Sequence, residues 1–390
     1  MKALHFGAGN IGKGFIGYLL SKTGYQVCFV DVNPHMVESI NNNNSYLVEL
    51  LDEDHTVETI SPVYAINSMT QEEKVMDAIV NADLITTSVG ANNLSRIATI
   101  ISKGLLKRVN INKKKIDIIA NENSLNASST LKKEIERHVS DSEMDMISSL
   151  VGFPNSAIDR LALSKESEEG EIALVEPFYE WIINKAEMVN LELPLIKDAI
   201  YVEDLKPYIE RKLYIVNMGH ATTAYIAFLA GESTIQSALA KPIIEDFLRA
   251  TLNEASRYII QTYNVDSEDM RAFVEKTLKR FKNKNISDDI LRVGRSPIRK
   301  LGYNERLIKP TRELYELGLP IENLTIAVAA AFLFNNPDDE ESVTLQKYIS
   351  EKGIEQAISH FTQIGNTTIK EKIKENYYRL KNDNTLIGLS

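Results

Sequence analysis

Three polar side chains interrupt an otherwise apolar run, KLYIVNMGH at 212–220. Lys212, Asn217 and His220 are each costly to bury without a partner. They are either the solvated edge of an ordinary helix or groups delivered to a site. At ~100° per residue, with Lys212 at 0°, Asn217 stands at about 140° and His220 at about 80°. All three then share one side of the helix, and Gly219 is expected to leave room for a ligand beside His220. The residue types suit oxidation of an alcohol. A lysine takes the hydroxyl proton when burial or nearby positive charge lowers its pKa toward the working pH. Amide N–H groups, such as those of Asn217 and Asn123, stabilise a developing oxyanion, and an imidazole holds a second hydroxyl.

Such a reaction needs a hydride acceptor, and the N-terminus has the pattern for one. KALHF (2–6) reads as a strand, GAGNIGKGFIG (7–17) as a glycine turn entering a helix, and QVCFVD (26–31) as a second strand. Gly7, Gly9 and Gly12 satisfy G-x-G-x-x-G. The first glycine allows the tight turn, the second close approach of a pyrophosphate, the third close helix–strand packing. Asp31 ends the second strand 19 residues after Gly12. It is either a strand-end turn residue or the acceptor for both adenosine ribose hydroxyls, which would favour NAD over NADP. Phe6, Gly7, Ala8, Gly9, Asn10, Ile11, Gly12 and Asp31 are the expected cofactor contacts. Ligands of open α/β sheets bind beyond the carboxyl ends of the strands. That adds Val89 and Gly90, after the strand ADLITTSVG (82–90), and puts Asn123, after KIDIIANEN (115–123), near the reacting centre.

These elements predict a Rossmann-type, doubly wound sheet over residues 1–200, followed by a mainly α-helical substrate domain over 201–390. VGFPNSAIDRLAL and EIALVEPFYEWII (within 145–183) read as strands that extend the sheet or cover it, with Asp159 and Arg160 as a surface ion pair or as part of the site. Helices are expected at 210–231, 241–263, 267–281, 312–318, 322–334, 340–350, 353–360 and 368–381. No apolar run reaches the ~20 residues of a membrane span. The net charge of −10 gives no general attraction to nucleic acid or anionic membranes. One cysteine, Cys28, rules out an intramolecular disulfide and fits a reducing cytoplasm. The six scattered histidines form no H-E-x-x-H motif, so no metal is expected. Neither a G-x-S-x-G elbow nor a P-loop occurs. Oligomeric state is not legible.

One segment runs against the acidic balance. RVGRSPIRKLGYNERLIKPTR (292–312) carries Arg292, Arg295, Arg299, Lys300, Arg306, Lys309 and Arg312 against Glu305 alone. It is a solvated basic face, a set of ion-pair partners, or an anion site.

The chain resembles the polyol-specific long-chain dehydrogenases. MKALHFGAGNIGKGFIG, ANEN (120–123), VGFPNSAIDR (151–160), EPFYEW (176–181) and RVGRSPIRKL (292–301) look like family blocks, and KLYIVNMGH fits the family's K-x4-N-x2-H. The resemblance implies that Lys212 is the general base, that Asn123 and Asn217 stabilise the oxyanion, and that His220 orients the polyol. It places Asp159 near the substrate or in support of the site, and turns the basic segment into a phosphate site with Arg295, Arg299 and Lys300. The implied reaction is NAD-dependent interconversion of D-mannitol 1-phosphate and D-fructose 6-phosphate. Rivals are an unphosphorylated polyol or a hexuronate such as fructuronate or tagaturonate, and a noncatalytic NAD-binding regulator. Two positions depart from the family pattern. Lys13 replaces an arginine, and Ile209 stands three residues before Lys212, where some members carry a relay glutamate.

Overall fold

Strand β1 (Lys2–Phe6) buries Leu4 and Phe6 on one face and Ala3 on the other, so both faces of its sheet have to be covered. The strands that follow are β2 (Gln26–Asp31), β3 (Tyr46–Leu50), β4 (Val57–Ile60), β5 (Val63–Asn67), β6 (Leu84–Thr87) and β7 (Ile116–Ala120). After them come β8 (Val151–Gly152), β9 (Ser156–Asp159), β10 (Ala162–Lys165), β11 (Ile172–Val175), β12 (Glu180–Asn184) and β13 (Ile200–Val202). The computed structural model describes residues 1–167 and 171–382 and divides into two units, Met1–Leu205 and Lys206–Ser390.

In the first unit six strands form a parallel sheet in the order β5-β2-β1-β6-β7-β8. Parallel neighbours need crossover connections, and helices supply them on one face. Val75 and Ile79 of Glu72–Asn81, Ala98, Ile101 and Leu105 of Leu94–Ile111, and Leu131 and Ile135 of Ala127–Glu136 pack there with Leu4 and Phe6. The other face is covered by Phe15, Ile16, Leu19 and Leu20 of the first helix, together with Val48, Ala173, Val175 and Trp181 from two smaller sheets. Those sheets run β10-β11-β3-β4 and β13-β12-β9. Both expectations for this stretch are met: β8 extends the main sheet, and strands β9 to β12 cover it. Arg160 is not a surface residue. It is 7% exposed, donates to the carbonyls of Gly14 and Glu176 at 3.0 Å each, and lies against the rings of Phe15, Tyr18 and Tyr179. Lys13 is also buried, with Nζ 2.5 Å from Glu171.

The second unit is helical. The expected helices occur as Pro242–Tyr263, Ser267–Phe281, Glu322–Leu333, Glu340–Lys352 and Thr367–Asn382. Glu322–Leu333 is buried on nearly every side, so it is the axis of this core rather than an amphipathic cover. Two differences matter for function. The basic segment is partly helical, at Ile290–Gly294 and Pro297–Lys300, and the next helix begins at Ile308 rather than 312. The expected helix 210–231 is three consecutive pieces, Lys206–Arg211, a π-helical turn Lys212–Asn217, and Met218–Leu229. Among the described residues no helix is long and apolar enough to cross a membrane.

His5 lies beneath the glycine turn. Its ring nitrogens meet Thr86 Oγ1 at 2.7 Å and Ser88 Oγ at 2.8 Å, and burial pushes its pKa down to about 3. The unfolded chain binds a proton near pH 6.5 that the folded chain refuses, so this contribution is complete above pH 6.5 and is lost as pH falls toward 3. The unfavourable difference at pH 5 is about 2 kcal/mol. Urea unfolding of the protein and of His5→Gln should therefore show the wild-type advantage shrinking by about that amount between pH 7 and pH 5. A pH-independent advantage would contradict a buried neutral imidazole.

Candidate functional site

The glycine turn is shaped by contacts that leave no space for side chains. Gly7 has φ +101, and a Cβ there would lie 2.5 Å from the Ser88 carbonyl oxygen. A Cβ on Gly12 would lie 1.9 Å from the Gly7 oxygen and 2.9 Å from His5 Nε2. A Cβ on Gly9, by contrast, would meet nothing within 4 Å. Packing within the protein does not require that glycine, and the space beside it suits a pyrophosphate. The N–H groups sort in the same way. Gly7 N–H donates to Val30 O at 2.8 Å and Ala8 N–H to Asp31 Oδ2 at 2.7 Å. Those of Gly9, Asn10 and Ile11 have no partner among the described residues. Unpaired N–H groups entering a helix form an anion cradle.

This narrows the expected contacts. Phe6 and Ala8 are core residues at 1% and 0% exposure, so their side chains do not reach a ligand. Gly9, Asn10 and Ile11 form the open edge, beside Gly12 in the turn. Asp31 holds the turn from the second strand, with Oδ1 accepting from Asn33 N–H at 2.9 Å. Each of its oxygens keeps a further lone pair for a ribose hydroxyl.

At the ends of β6 and β7, Glu122 is a residue to which the sequence assigned no role. Its carboxylate accepts from Thr87 Oγ1 at 2.8 Å, Val89 N–H at 3.0 Å and Gly90 N–H at 2.8 Å. Val89 and Gly90 therefore form a braced loop whose N–H groups are already used. Asn123, next in the chain, is exposed. The only sequence signal for Glu122 was its strand-end position. Asp159, on β9, is in register with Glu180 of β12.

In the second unit Lys212, Asn217 and His220 are all half-buried, while Tyr214, Ile215, Val216, Met218 and Gly219 between them are buried. The polar stripe is thus real, but its geometry differs from that of an α-helix. Lys212–Asn217 is one turn closed by i→i+5 bonds. In such a turn residues five apart stand nearly one above the other, not the ~140° apart of an α-helix. Lys212 and Asn217 are therefore better aligned than the sequence implied. Gly219 does not open a ligand space. A Cβ there would meet Leu252 Cδ2 at 2.7 Å, so that side is filled by the protein's own helix Pro242–Tyr263. His220 stacks on Phe281 at 5.0 Å between ring centres, and its Nε2 lies 3.2 Å from Asp288 Oδ2.

The seven cations separate into two groups. Lys309 pairs with the buried Glu210 at 2.8 Å. Arg312 lies over the ring of Tyr303 at 3.5 Å. Arg306 meets Glu305 at 3.2 Å, and Arg292 pairs with Asp288. Lys300 is 4% exposed, and its Nζ donates to the carbonyls of Val293 at 2.5 Å and Arg295 at 2.6 Å. Its role as a phosphate ligand is corrected accordingly: two of its three N–H bonds are spent joining the two short helices of the segment. Arg295 and Arg299 remain exposed, as does Arg292, and Arg299 Nη1 lies 3.9 Å from Glu305 Oε1. Their loop is pinned by Asp339 Oδ2 accepting from Ser296 N–H and Glu341 Oε2 from Arg299 N–H, both at 2.9 Å. Among the described residues no group of His, Cys, Asp and Glu is arranged to hold a metal ion.

Two family models match the chain: the mannitol dehydrogenase Rossmann domain over residues 1–197 and the mannitol dehydrogenase C-terminal domain over 204–381. A mannitol-1-phosphate 5-dehydrogenase of Bacillus licheniformis is 45% identical over 353 residues, covering 90% of this chain and 93% of its own. That of Enterococcus faecalis is 40% identical over 380 residues, covering 97% and 98%. Among solved structures, Pseudomonas fluorescens mannitol 2-dehydrogenase in ternary complex with NAD and D-mannitol has a TM-score of 0.71 at 16% identity, covering 100% of this chain and 93% of its own. A substrate-free D-sorbitol dehydrogenase has a TM-score of 0.85 at 13% identity, covering 100% and 94%. At these identities the two structures speak to the fold alone.

Burial, then the neighbouring Arg306 and Arg299, pushes the Lys300 pKa from 10.5 down to about 7. The unfolded chain binds more protons between those values, so stability from this residue rises with pH from about 7 to 10.5. A neutral amine still has two N–H groups for its two carbonyls. Comparing Lys300→Met with wild type by urea unfolding, the wild-type advantage should grow by roughly 3 kcal/mol from pH 6.5 to 9.5. An unchanged difference would place the ammonium in solvent.

Proposed function

The chain belongs to the mannitol dehydrogenase family, and from that premise we propose that it is an NAD-dependent oxidoreductase interconverting D-mannitol 1-phosphate and D-fructose 6-phosphate. The observation that carries the reading is the π-turn setting Lys212 and Asn217 on one half-buried stripe. Bound NAD supplies the acceptor for the hydride leaving the carbinol carbon. Gly9, Asn10 and Ile11 hold its pyrophosphate with backbone N–H groups, and Asp31 accepts from the adenosine ribose.

Lys212 Nζ takes the hydroxyl proton during oxidation and returns it during reduction. Asn217 donates amide N–H to the alkoxide, and family resemblance assigns Asn123 the same role. His220 holds a neighbouring hydroxyl. Asp159 is assigned to the substrate side on family resemblance. The exposed Arg295 and Arg299 take the phosphate, because planar guanidinium forks match its oxygens. Lys300 fixes the segment from which they project. A reducing compartment such as the cytoplasm suits the single buried cysteine.

Fructose 6-phosphate should support NADH oxidation far better than fructose or fructuronate. A preference for fructuronate would reassign Arg295 and Arg299 to a carboxylate. Lys212→Ala should lower kcat by about 10²–10⁴-fold while NADH binding, followed by fluorescence, is retained. Near-normal turnover in that variant would remove Lys212 as the base. NADH should be strongly preferred to NADPH, since Asp31 repels a 2′-phosphate, and equal rates would contradict its placement.

A further inference from the structure

Asp288 is a half-buried carboxylate with two different partners. Its side chain is 13% exposed. Oδ2 lies 3.2 Å from His220 Nε2, Oδ1 accepts from the Arg292 guanidinium, and its backbone N–H donates to Gln236 Oε1 at 3.0 Å. It thereby ties the imidazole on the long helix to the first cation of the basic segment. Phe281 fixes the plane of the same ring by stacking, at an interplanar angle of 19°. The ring is therefore held by one face and one nitrogen, and among the described residues Nδ1 has no hydrogen-bond partner.

We propose that Asp288 is a positioning residue for the reaction: it holds neutral His220 in its Nε2–H form, so that Nδ1 presents a lone pair to a substrate hydroxyl. This rests on the assignment of His220 to the substrate. A carboxylate only accepts, so the nitrogen facing it must carry hydrogen. In neutral imidazole the other nitrogen is then an acceptor. A polyol hydroxyl can donate to that acceptor, and the fixed ring selects its direction.

The two partners of Asp288 make the proposal sharp. In Asp288→Asn only one oxygen remains, and the arginine, which has no acceptor atom, claims it. The amide NH₂ then faces His220 Nε2, which has to become the acceptor. The hydrogen moves to Nδ1, and a lone pair offered to the substrate becomes a competing donor. Replacing Arg292 as well frees the amide to rotate and restores the original form.

Long-range ¹H–¹⁵N correlation spectra of the histidine-labelled protein at alkaline pH, assigned by the signal lost in His220→Asn, read the tautomer directly. Wild type should show Nε2–H, Asp288→Asn should show Nδ1–H, and Asp288→Asn/Arg292→Met should return to Nε2–H. In Asp288→Asn the KM for fructose 6-phosphate should rise about tenfold, a change of ~1.4 kcal/mol, with kcat within a few-fold and NADH binding unaltered. Nδ1–H in wild type, or no change of tautomer in Asp288→Asn, overturns the proposal whatever the substrate proves to be. A tautomer change with unaltered KM overturns the substrate role of His220 and leaves the Lys212 assignment to its own test.

Discussion

A side chain on Gly12 would sit 1.9 Å from the Gly7 oxygen, so the first turn of the first helix is pressed against the end of β1 with no atom between. The cofactor side of the molecule depends on that approach. It brings the turn down onto His5, whose neutral ring is held between Thr86 and Ser88. It sets Ala8 N–H against Asp31, so that the carboxylate proposed to meet a ribose also anchors the loop proposed to meet the pyrophosphate. Glu122 performs the same service one strand further on, using its oxygens on Thr87, Val89 and Gly90. Both carboxylates tie a strand-end loop to the sheet, and preorganisation of this kind reduces the ordering cost of binding.

The helical unit solves a different problem. Lys212, Asn217 and His220 have to stand on a helix whose remaining surface is core, where each polar group costs free energy unless it is partnered or reaches solvent. The π-turn widens the helix at the first two and aligns them, while the third is held by stacking and by a carboxylate. The basic segment follows the same economy. Most of its charges have partners, in Glu210, Glu305, Asp288, an aromatic ring or backbone carbonyls. Beside the exposed Arg292, it leaves Arg295 and Arg299 outward on a loop braced by the first residues of Glu340–Lys352 and the aspartate before it.

Period and punctuation made the architecture legible. The strand–glycine–helix–strand opening and the helices after residue 240 carry local signals: a glycine at a steric pinch, alternating burial, proline or aspartate at helix starts. The polar stripe was legible as residue types at a spacing, but not as geometry, because an inserted i→i+5 turn leaves no mark that an α-helical wheel registers. Gly219 misled for a related reason. A glycine beside a functional group can serve a ligand or a neighbouring helix, and only Leu252, distant in sequence, decides between them. Glu122, Asp288 and the inward turn of Lys300 were hidden because their roles are set by partners brought in through tertiary structure. Composition alone could not distinguish a cation facing solvent from one capping carbonyls.

The absence of a glutamate at Ile209 acquires physical content from Glu210. That carboxylate is one residue away and buried, which invites a role as a substitute relay. Its oxygens are nevertheless committed, Oε1 to Lys309 at 2.8 Å and Oε2 to Tyr258 at 2.7 Å. Burial raises its pKa, but the hydrogen bonds from Lys309, Tyr258 and Tyr263 outweigh burial and leave it below the usual carboxylate range. A relay group has to accept a proton near the working pH and pass it on, whereas this carboxylate is stabilised in its ionised form and fixed at both oxygens. Glu210 therefore anchors Lys206–Arg211, immediately before the π-turn, against Tyr258 and Lys309. That is a structural duty, and it keeps the turn in place.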